Sequence, residues 1–196
     1  MPDILVVCTG NLCRSPLAEA FLRGALERRL GDRAPAVASA GVVGVRGASA
    51  MPETVRAAAE RGVDISSHRV RRLQRVQIER ADLVIAMAAE HRAEVARLVP
   101  SAASKTFTLK ELVRLVESLP PPNGGFDLAS IVADADARRR SGARDNPNDE
   151  DVADPLGMPF ESYRAVAWEL DEWSDRLATA FAGTERAPAT AGAEGE

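Results

Sequence analysis

Residues 4–21, ILVVCTGNLCRSPLAEAF, leave the chain few folds to choose from. Ile4-Leu5-Val6-Val7 is an unbroken apolar run, which suits a strand covered on both faces rather than one that faces water. Thr9-Gly10-Asn11 then turns the chain. Pro16 fits the first turn of a helix, and Leu17, Phe21, Leu22, Ala25 and Leu26 follow at helical spacing. A buried strand feeding a helix through a tight loop is half of a βαβ unit, and such units build parallel sheets. Both cysteines of the chain, Cys8 and Cys13, fall in that connecting loop.

The rest of the chain repeats the plan. Strands are expected at 37–40, 82–87 and 105–108, with helices at 52–61, 89–98, 109–118 and 160–181. Pro52 opens one of these helices and Gly62 stops it. Thr108 and Glu111 have the spacing of a capping box. Strands alternating with helices predict an α/β fold, a four-stranded parallel sheet with helices on both faces. Residues 1–182 read as a single domain, within which 120–150 is an irregular insertion that could hold a helix over about 127–140. Residues 183–196 read as a disordered tail. Hydrophobic residues make up 45% of the 196 but aromatic ones only 4%, so the core must be mostly Ala, Val and Leu.

Charge and hydropathy remove several functions. A formal charge of −4 argues against a general nucleic-acid binder. No run approaches the roughly 20 apolar residues of a membrane span, and no basic segment precedes the first apolar run as in a secretion signal. The expectation is a cytoplasmic protein, monomer or weak dimer, with no membrane or nucleic-acid partner. In a reducing compartment two cysteines are more readily chemical than structural.

The loop from Cys8 to Ser15 has the makings of an anion trap. It ends at a helix N-terminus, where unpaired backbone N–H groups and the helix dipole favour negative charge. Gly10 is read as the point where the chain bends. Thr9, Gly10, Asn11, Leu12, Cys13 and Ser15 would surround a tetrahedral oxyanion, and the Arg14 fork would grip two of its oxygens. The same cradle favours the thiolate of Cys8, the form that attacks, and no metal or other cofactor is called for.

VCTGNLCRSP resembles the signature loop of the low-molecular-weight protein tyrosine phosphatases, of the form C-x5-R followed by Ser or Thr, and the bacterial members in particular. The resemblance extends over most of residues 3–182. It implies a flavodoxin-like three-layer sandwich and hydrolysis of phosphotyrosine in proteins through a cysteinyl-phosphate intermediate. By that resemblance Cys8 is the nucleophile, Arg14 the phosphate clamp and Ser15 the group that stabilises the leaving thiolate. Asn11 holds the loop in a strained shape, and His68, in DISSHRVRRL, supports the Asn and Ser network. Asp154, in VADPLG, is the general acid and base, with Pro155 biasing its backbone toward an extended form.

The match also departs from the family. Many members carry two tyrosines after the Asp-Pro, where this chain has Leu156 and Gly157. Some bacterial relatives with a similar arrangement act on phosphoarginine and carry Thr at the position of Leu12. Leu12 offers an apolar contact and favours an aryl phosphate, so phosphotyrosine is the first reading and phosphoarginine the alternative. Arsenate reduction on the same scaffold is a further alternative, disfavoured because no cysteine follows Cys13. Cys13 is either a packing residue or a redox partner that shields Cys8 in a reversible disulfide. Arg69, Arg71, Arg72 and Arg75 read as surface charge able to steer a phosphoprotein, and Arg138 to Arg140 as a solvated run. His91 reads as a solvated helix residue, and Trp168 and Trp173 as core or interface positions.

Overall fold

In the computed structural model, which describes residues 3–120, 126–142 and 150–183, four short strands pair in parallel. They are β1 (Ile4–Cys8), β2 (Val37–Gly41), β3 (Leu83–Ala86) and β4 (Thr106–Thr108), in the spatial order β2-β1-β3-β4. Ile4 is in register with both Val37 and Leu83, so β1 is central and all five of its residues are buried. The unbroken apolar run of β1 follows from that position, because both faces of a central parallel strand are covered.

Alternate residues of β1 feed two cores. Ile4, Val6 and Cys8 belong to the larger one with α1 (Arg14–Leu30), α2 (Pro52–Glu60), α5 (Leu109–Glu117), α6 (Leu128–Arg140) and α7 (Phe160–Ala182). Leu5 and Val7 face the smaller one, with α3 (Arg75–Arg80) and α4 (Ala89–Leu98). The result is the expected three-layer α/β sandwich. Each fully buried Leu, Ile or Val contributes about 1.5–3 kcal/mol, so the long apolar face of α7 (Val166, Leu170, Leu177 and Phe181) is a major part of what closes the large core.

Local signals behave as the chemistry requires. Thr108 Oγ1 accepts from the Glu111 N–H at 3.4 Å, and Glu111 Oε2 accepts from the Thr108 N–H at 3.3 Å, which completes the capping box of α5. Gly62, at φ +77°, takes the left-handed position just past α2. The short helix α3 and the 3-10 turns at Gly31–Arg33 and Pro100–Lys105 had no expectation in the sequence.

The segment expected to be an irregular insertion holds a helix where one was expected, α6, but its Leu128, Ile131, Val132 and Ala135 join the large core. Asp127 Oδ1 caps it by accepting from the Ala129 N–H at 3.1 Å. Arg139 of α6 donates to the carbonyl of Thr106, the first residue of β4. Residues 121–125 and 143–149 of that segment, and 184–196 of the tail expected at 183–196, lie outside the described residues. Trp168, read as a core or interface position, is 57% exposed, whereas Trp173 is half-buried with the Arg176 guanidinium 4.1 Å from its ring. Among the described residues no helix is long and apolar enough to cross a membrane.

Candidate active site

The loop after β1 folds around a sulfur. Cys8 Sγ accepts from the Asn11 backbone N–H at 3.2 Å and lies 3.0 Å from Ser15 Oγ. Asn11 Nδ2 donates to that same Ser15 oxygen at 2.9 Å, which leaves the serine O–H free to donate to sulfur. Two donors therefore converge on Cys8, which is itself 2% exposed. Among the described residues the N–H groups of Gly10, Leu12 and Cys13 donate to no other group. These free amides are the material of an anion cradle.

Asn11 holds the loop's shape. It is fully buried and has φ +56°, the one non-glycine residue with positive φ among the described residues. Asparagine tolerates this left-handed geometry when its side chain is bonded. Here Nδ2 also donates to Ser39 Oγ at 2.8 Å, and Oδ1 accepts from the Arg71 N–H at 2.8 Å. The Asn11 carbonyl accepts from His68 Nε2 at 3.1 Å, so His68 bonds the loop directly. Burial lowers the His68 pKa below the ordinary 6.5, so the ring is neutral at pH 7. Ser39 in turn donates to the buried carboxylate of Glu19 at 2.5 Å, which ties the loop to α1.

Gly10, the expected bend, is not the residue under strain. The left-handed residue is Asn11 instead, and a Cβ on Gly10 would meet only the flexible side chain of Leu12, at 3.3 Å. The glycine that the loop requires is Gly41 at the end of β2. A Cβ there would lie 2.6 Å from the Gly10 carbonyl carbon and 2.7 Å from the Asn11 nitrogen, closer than backbone atoms can approach.

Arg14 and Asp154 meet across the loop. Arg14 Nη2 donates to Asp154 Oδ2 at 2.5 Å and to Thr9 Oγ1 at 3.0 Å, and Nη1 donates to the Val152 carbonyl at 3.2 Å. The segment carrying Asp154 is tied to the sheet where the Val152 N–H donates to the Met87 carbonyl, just past β3. Asp154 Oδ1 accepts from the Leu156 N–H at 3.2 Å, a local turn that aims the carboxylate inward. Of the nearby acids, Asp151 accepts from the Ala89 N–H at the start of α4, and Asp145 and Asp149 lie outside the described residues.

His91 is not solvated. It is 2% exposed, its Nε2 lies 2.9 Å from Thr9 Oγ1, and its pKa is lowered by burial and by the charge of Arg14. No local pattern around AAEHRAEV signals this, because the ring reaches the loop only through the parallel pairing of β1 with β3. Cys13 is buried behind the loop, and burial pushes its thiol up to about 11. Leu12 is half-buried beside Gly10 and packs against the large core.

Comparison with known proteins agrees with this geometry. The family model of the low molecular weight phosphotyrosine protein phosphatases matches residues 3–122. A protein-arginine-phosphatase of Geobacillus stearothermophilus is 34% identical over 177 residues, 89% of this chain and 93% of that protein. A probable low molecular weight protein-tyrosine-phosphatase, EpsP of Ralstonia solanacearum, is 40% identical over 109 residues, 56% of this chain and 71% of the relative. The crystal structure of a YwlE mutant from Bacillus subtilis superposes with a TM-score of 0.68 at 31% identity, over 91% of this chain and 97% of that one. The chain belongs to the low-molecular-weight phosphotyrosine protein phosphatase family.

Proposed function

We propose that this phosphatase hydrolyses phosphotyrosine in proteins through a cysteinyl-phosphate on Cys8, with Asp154 as general acid and then base. The observation that carries the reading is the convergence of the Asn11 N–H and the Ser15 hydroxyl on Cys8 Sγ, inside a loop with free amides whose Thr9 hydroxyl accepts from the Arg14 guanidinium.

The steps follow from these contacts. The phosphoryl group settles on the amides of Gly10, Leu12 and Cys13 and takes over the Arg14 guanidinium, which otherwise bonds Asp154. Asp154 is then free to carry the proton for the leaving oxygen. The Cys8 thiolate attacks phosphorus, the S–P bond forms as the P–O ester bond breaks, and Asp154 protonates the departing phenolate. Such proton transfer is worth typically 10²–10⁴-fold in rate. Asp154, now ionised, takes a proton from water as its oxygen attacks phosphorus. The S–P bond breaks, inorganic phosphate leaves, and the Ser15 O–H stabilises the released thiolate. A free Cys8 suits a reducing cytoplasm. The net charge of −4 fits protein rather than nucleic-acid partners, and a monomer or weak dimer suffices, since every group used comes from one chain.

The aryl preference rests on an apolar rim. Leu12 lines the loop, and Leu156 and Met158, 52% and 54% exposed, follow Asp154. A phosphoarginine reading is favoured by one observation. The arginine phosphatase relative aligns over about nine-tenths of both chains, while EpsP aligns over 56% of this one. Turnover of para-nitrophenyl phosphate and of phosphotyrosine and phosphoarginine peptides decides between the two. Cys8→Ser is expected to abolish all turnover, and full activity in that variant refutes the mechanism. Asp154→Asn is expected to slow poor leaving groups by about 10²-fold or more and acidic phenols least. An equal loss across leaving groups counts against the acid role.

A further inference from the structure

The phosphate loop is flanked by surfaces of opposite charge, and the sheet order sets them on opposite sides. The chain that leaves β2 runs along one side of the β1 loop, and the chain that leaves β3 runs along the other. On the β3 side sit Glu90, Asp151 and Asp154. On the β2 side, residues 41–52 and 65–74 contain Arg46, Arg69, Arg71 and Arg72 and not one Asp or Glu, whereas Arg75 at the start of α3 turns away and donates to the Leu98 carbonyl at the far end of α4. A chain of net charge −4 has gathered a basic block beside its reactive sulfur.

These two segments form one platform. The Gly47 N–H donates to the Val70 carbonyl at 2.9 Å, the Val70 N–H to Ala48 at 2.8 Å, and the Leu73 N–H to Gly41 at 2.8 Å. The platform is joined to the loop itself, since the Val43 N–H donates to the Thr9 carbonyl at 2.9 Å and the Arg71 N–H to Asn11 Oδ1 at 2.8 Å. One of the four arginines is partly neutralised, Arg71 by Glu19 at 3.7 Å. Arg46, Arg69 and Arg72 are exposed and, among the described residues, pair with no carboxylate. Arg69 is oriented by donating to the carbonyls of its own turn, Ser66 and His68. Val43 and Val45, 62% and 75% exposed, add apolar surface to the same platform.

We infer that this platform docks acidic residues of the protein that carries the phosphate, so that the phosphatase selects phosphorylated segments with carboxylates on the β2 side. The inference rests on the phosphatase reading above and names a substrate feature that the catalytic groups do not set. Complementary charge raises the encounter rate and fixes orientation, whereas a basic segment meets repulsion there. The carboxylates of Glu90 and Asp151 across the loop reinforce the choice by repelling an acidic segment laid the other way round.

The test uses phosphopeptides that differ only in flanking residues, glutamate or lysine, as both phosphotyrosine and phosphoarginine versions, with para-nitrophenyl phosphate as a reporter of the chemistry alone. In the parent protein kcat/KM is expected to favour the acidic flanks by about ten-fold, and to lose most of that preference between about 0.05 and 0.5 M salt. Arg46→Glu combined with Arg72→Glu is expected to erase or invert the preference while para-nitrophenyl phosphate is still turned over within about two-fold of the parent. Equal turnover of acidic and basic peptides by the parent overturns the inference, as does a preference that survives the double charge reversal. Tight binding of a short oligonucleotide to a protein that shows no peptide preference assigns the arginines to nucleic acid and also overturns it. A parent that hydrolyses none of the substrates, the small aryl phosphate included, fails the phosphatase reading first and takes this inference with it.

Discussion

His91 Nε2 lies 2.9 Å from Thr9 Oγ1, the same hydroxyl that accepts from Arg14 Nη2 at 3.0 Å. Nε2 is also 3.3 Å from Glu90 Oε1, and an ionised carboxylate only accepts, so the proton of the neutral ring belongs on Nε2. Thr9 then accepts from two N–H donors and keeps its own O–H to offer to an anion in the loop. The expected outcome is specific to the ring nitrogen. His91→Gln places an amide N–H near the position of Nε2 and keeps inhibition by inorganic phosphate within a few-fold of the parent. His91→Asn, too short to reach Thr9, weakens it by about ten-fold, the worth of one hydrogen bond to an anion. In a Thr9→Val background the His91→Asn substitution should cost nothing further, and additive losses in this cycle would show that His91 acts elsewhere.

Cys13 leads to a prediction about redox chemistry. With its thiol pushed up to about 11 by burial, only about one molecule in ten thousand is thiolate at pH 7. Iodoacetamide at neutral pH should therefore modify Cys13 of the folded protein negligibly, and rapid neutral labelling read by mass spectrometry contradicts the burial argument. The same property governs any bridge to Cys8. After peroxide converts Cys8 to its sulfenic acid, closure by Cys13 should accelerate about ten-fold per pH unit from neutrality toward pH 11, because the thiolate is the attacking form. A closure rate independent of pH removes Cys13 as the resolving thiol.

Gly41 is the strictest packing requirement at the site. Adding a single methyl there brings a carbon to 2.6 Å from the Gly10 carbonyl carbon, and neither backbone can retreat without moving Cys8 or breaking the β1–β2 register. Gly41→Ala is expected to destabilise the fold by about 1–3 kcal/mol and to displace the loop. Activity should then fall by more than the unfolded fraction accounts for. Gly47→Ala supplies the contrast. A Cβ at Gly47 meets nothing within 4 Å, but φ is +84°, so that change costs backbone strain without touching the loop. Equal losses of activity in the two variants, compared at equal folded fraction, would contradict the role assigned to Gly41.

The contrast between Gly41 and the Cys8–Ser15 loop shows what was legible in the sequence. A strand, a turn and a helix start are local, so Ile4 to Leu26 announced both a central strand and an anion cradle, and the remaining strands followed from short apolar runs. Gly41 and His91 matter only because β2 and β3 flank β1, and nothing in GVVG or AAEHRAEV states that adjacency. The bend in the loop was legible in part: the family resemblance assigns the strained shape to Asn11, which takes the left-handed position, but its three side-chain partners, Ser15, Ser39 and Arg71, include two that only the fold brings to it. The helix α3 was too short to show periodicity, and α6, expected as a helix at about 127–140, carried a near-even mix of charged and apolar residues that hid its place in the core.

The two histidines set an acid limit on the fold. Burial lowers the pKa of both His68 and His91 below the 6.5 of an unfolded chain, with Arg14 adding to the effect at His91 and Arg71 and Arg69 at His68. The charges facing His91 from its surroundings are Arg14 of α1, Glu90 beside it, and Asp151 and Asp154 of the returning segment; the acids partly offset the arginine. For such a base the folded state holds fewer protons than the unfolded state once pH drops below about 6.5. Stability is therefore fully present above that pH and is lost as pH falls through 6.5 toward the lower folded values. The urea midpoint is expected to be level from about pH 8 to 7 and to decline from about pH 6.5 toward 5, a window above that in which ordinary carboxylates titrate. His68→Gln and His91→Gln together should flatten this decline while leaving the steeper carboxylate-driven loss below about pH 4.5 in place. A decline between pH 6.5 and 5 that is unchanged in the double variant would show that the two rings titrate alike in the folded and unfolded chains.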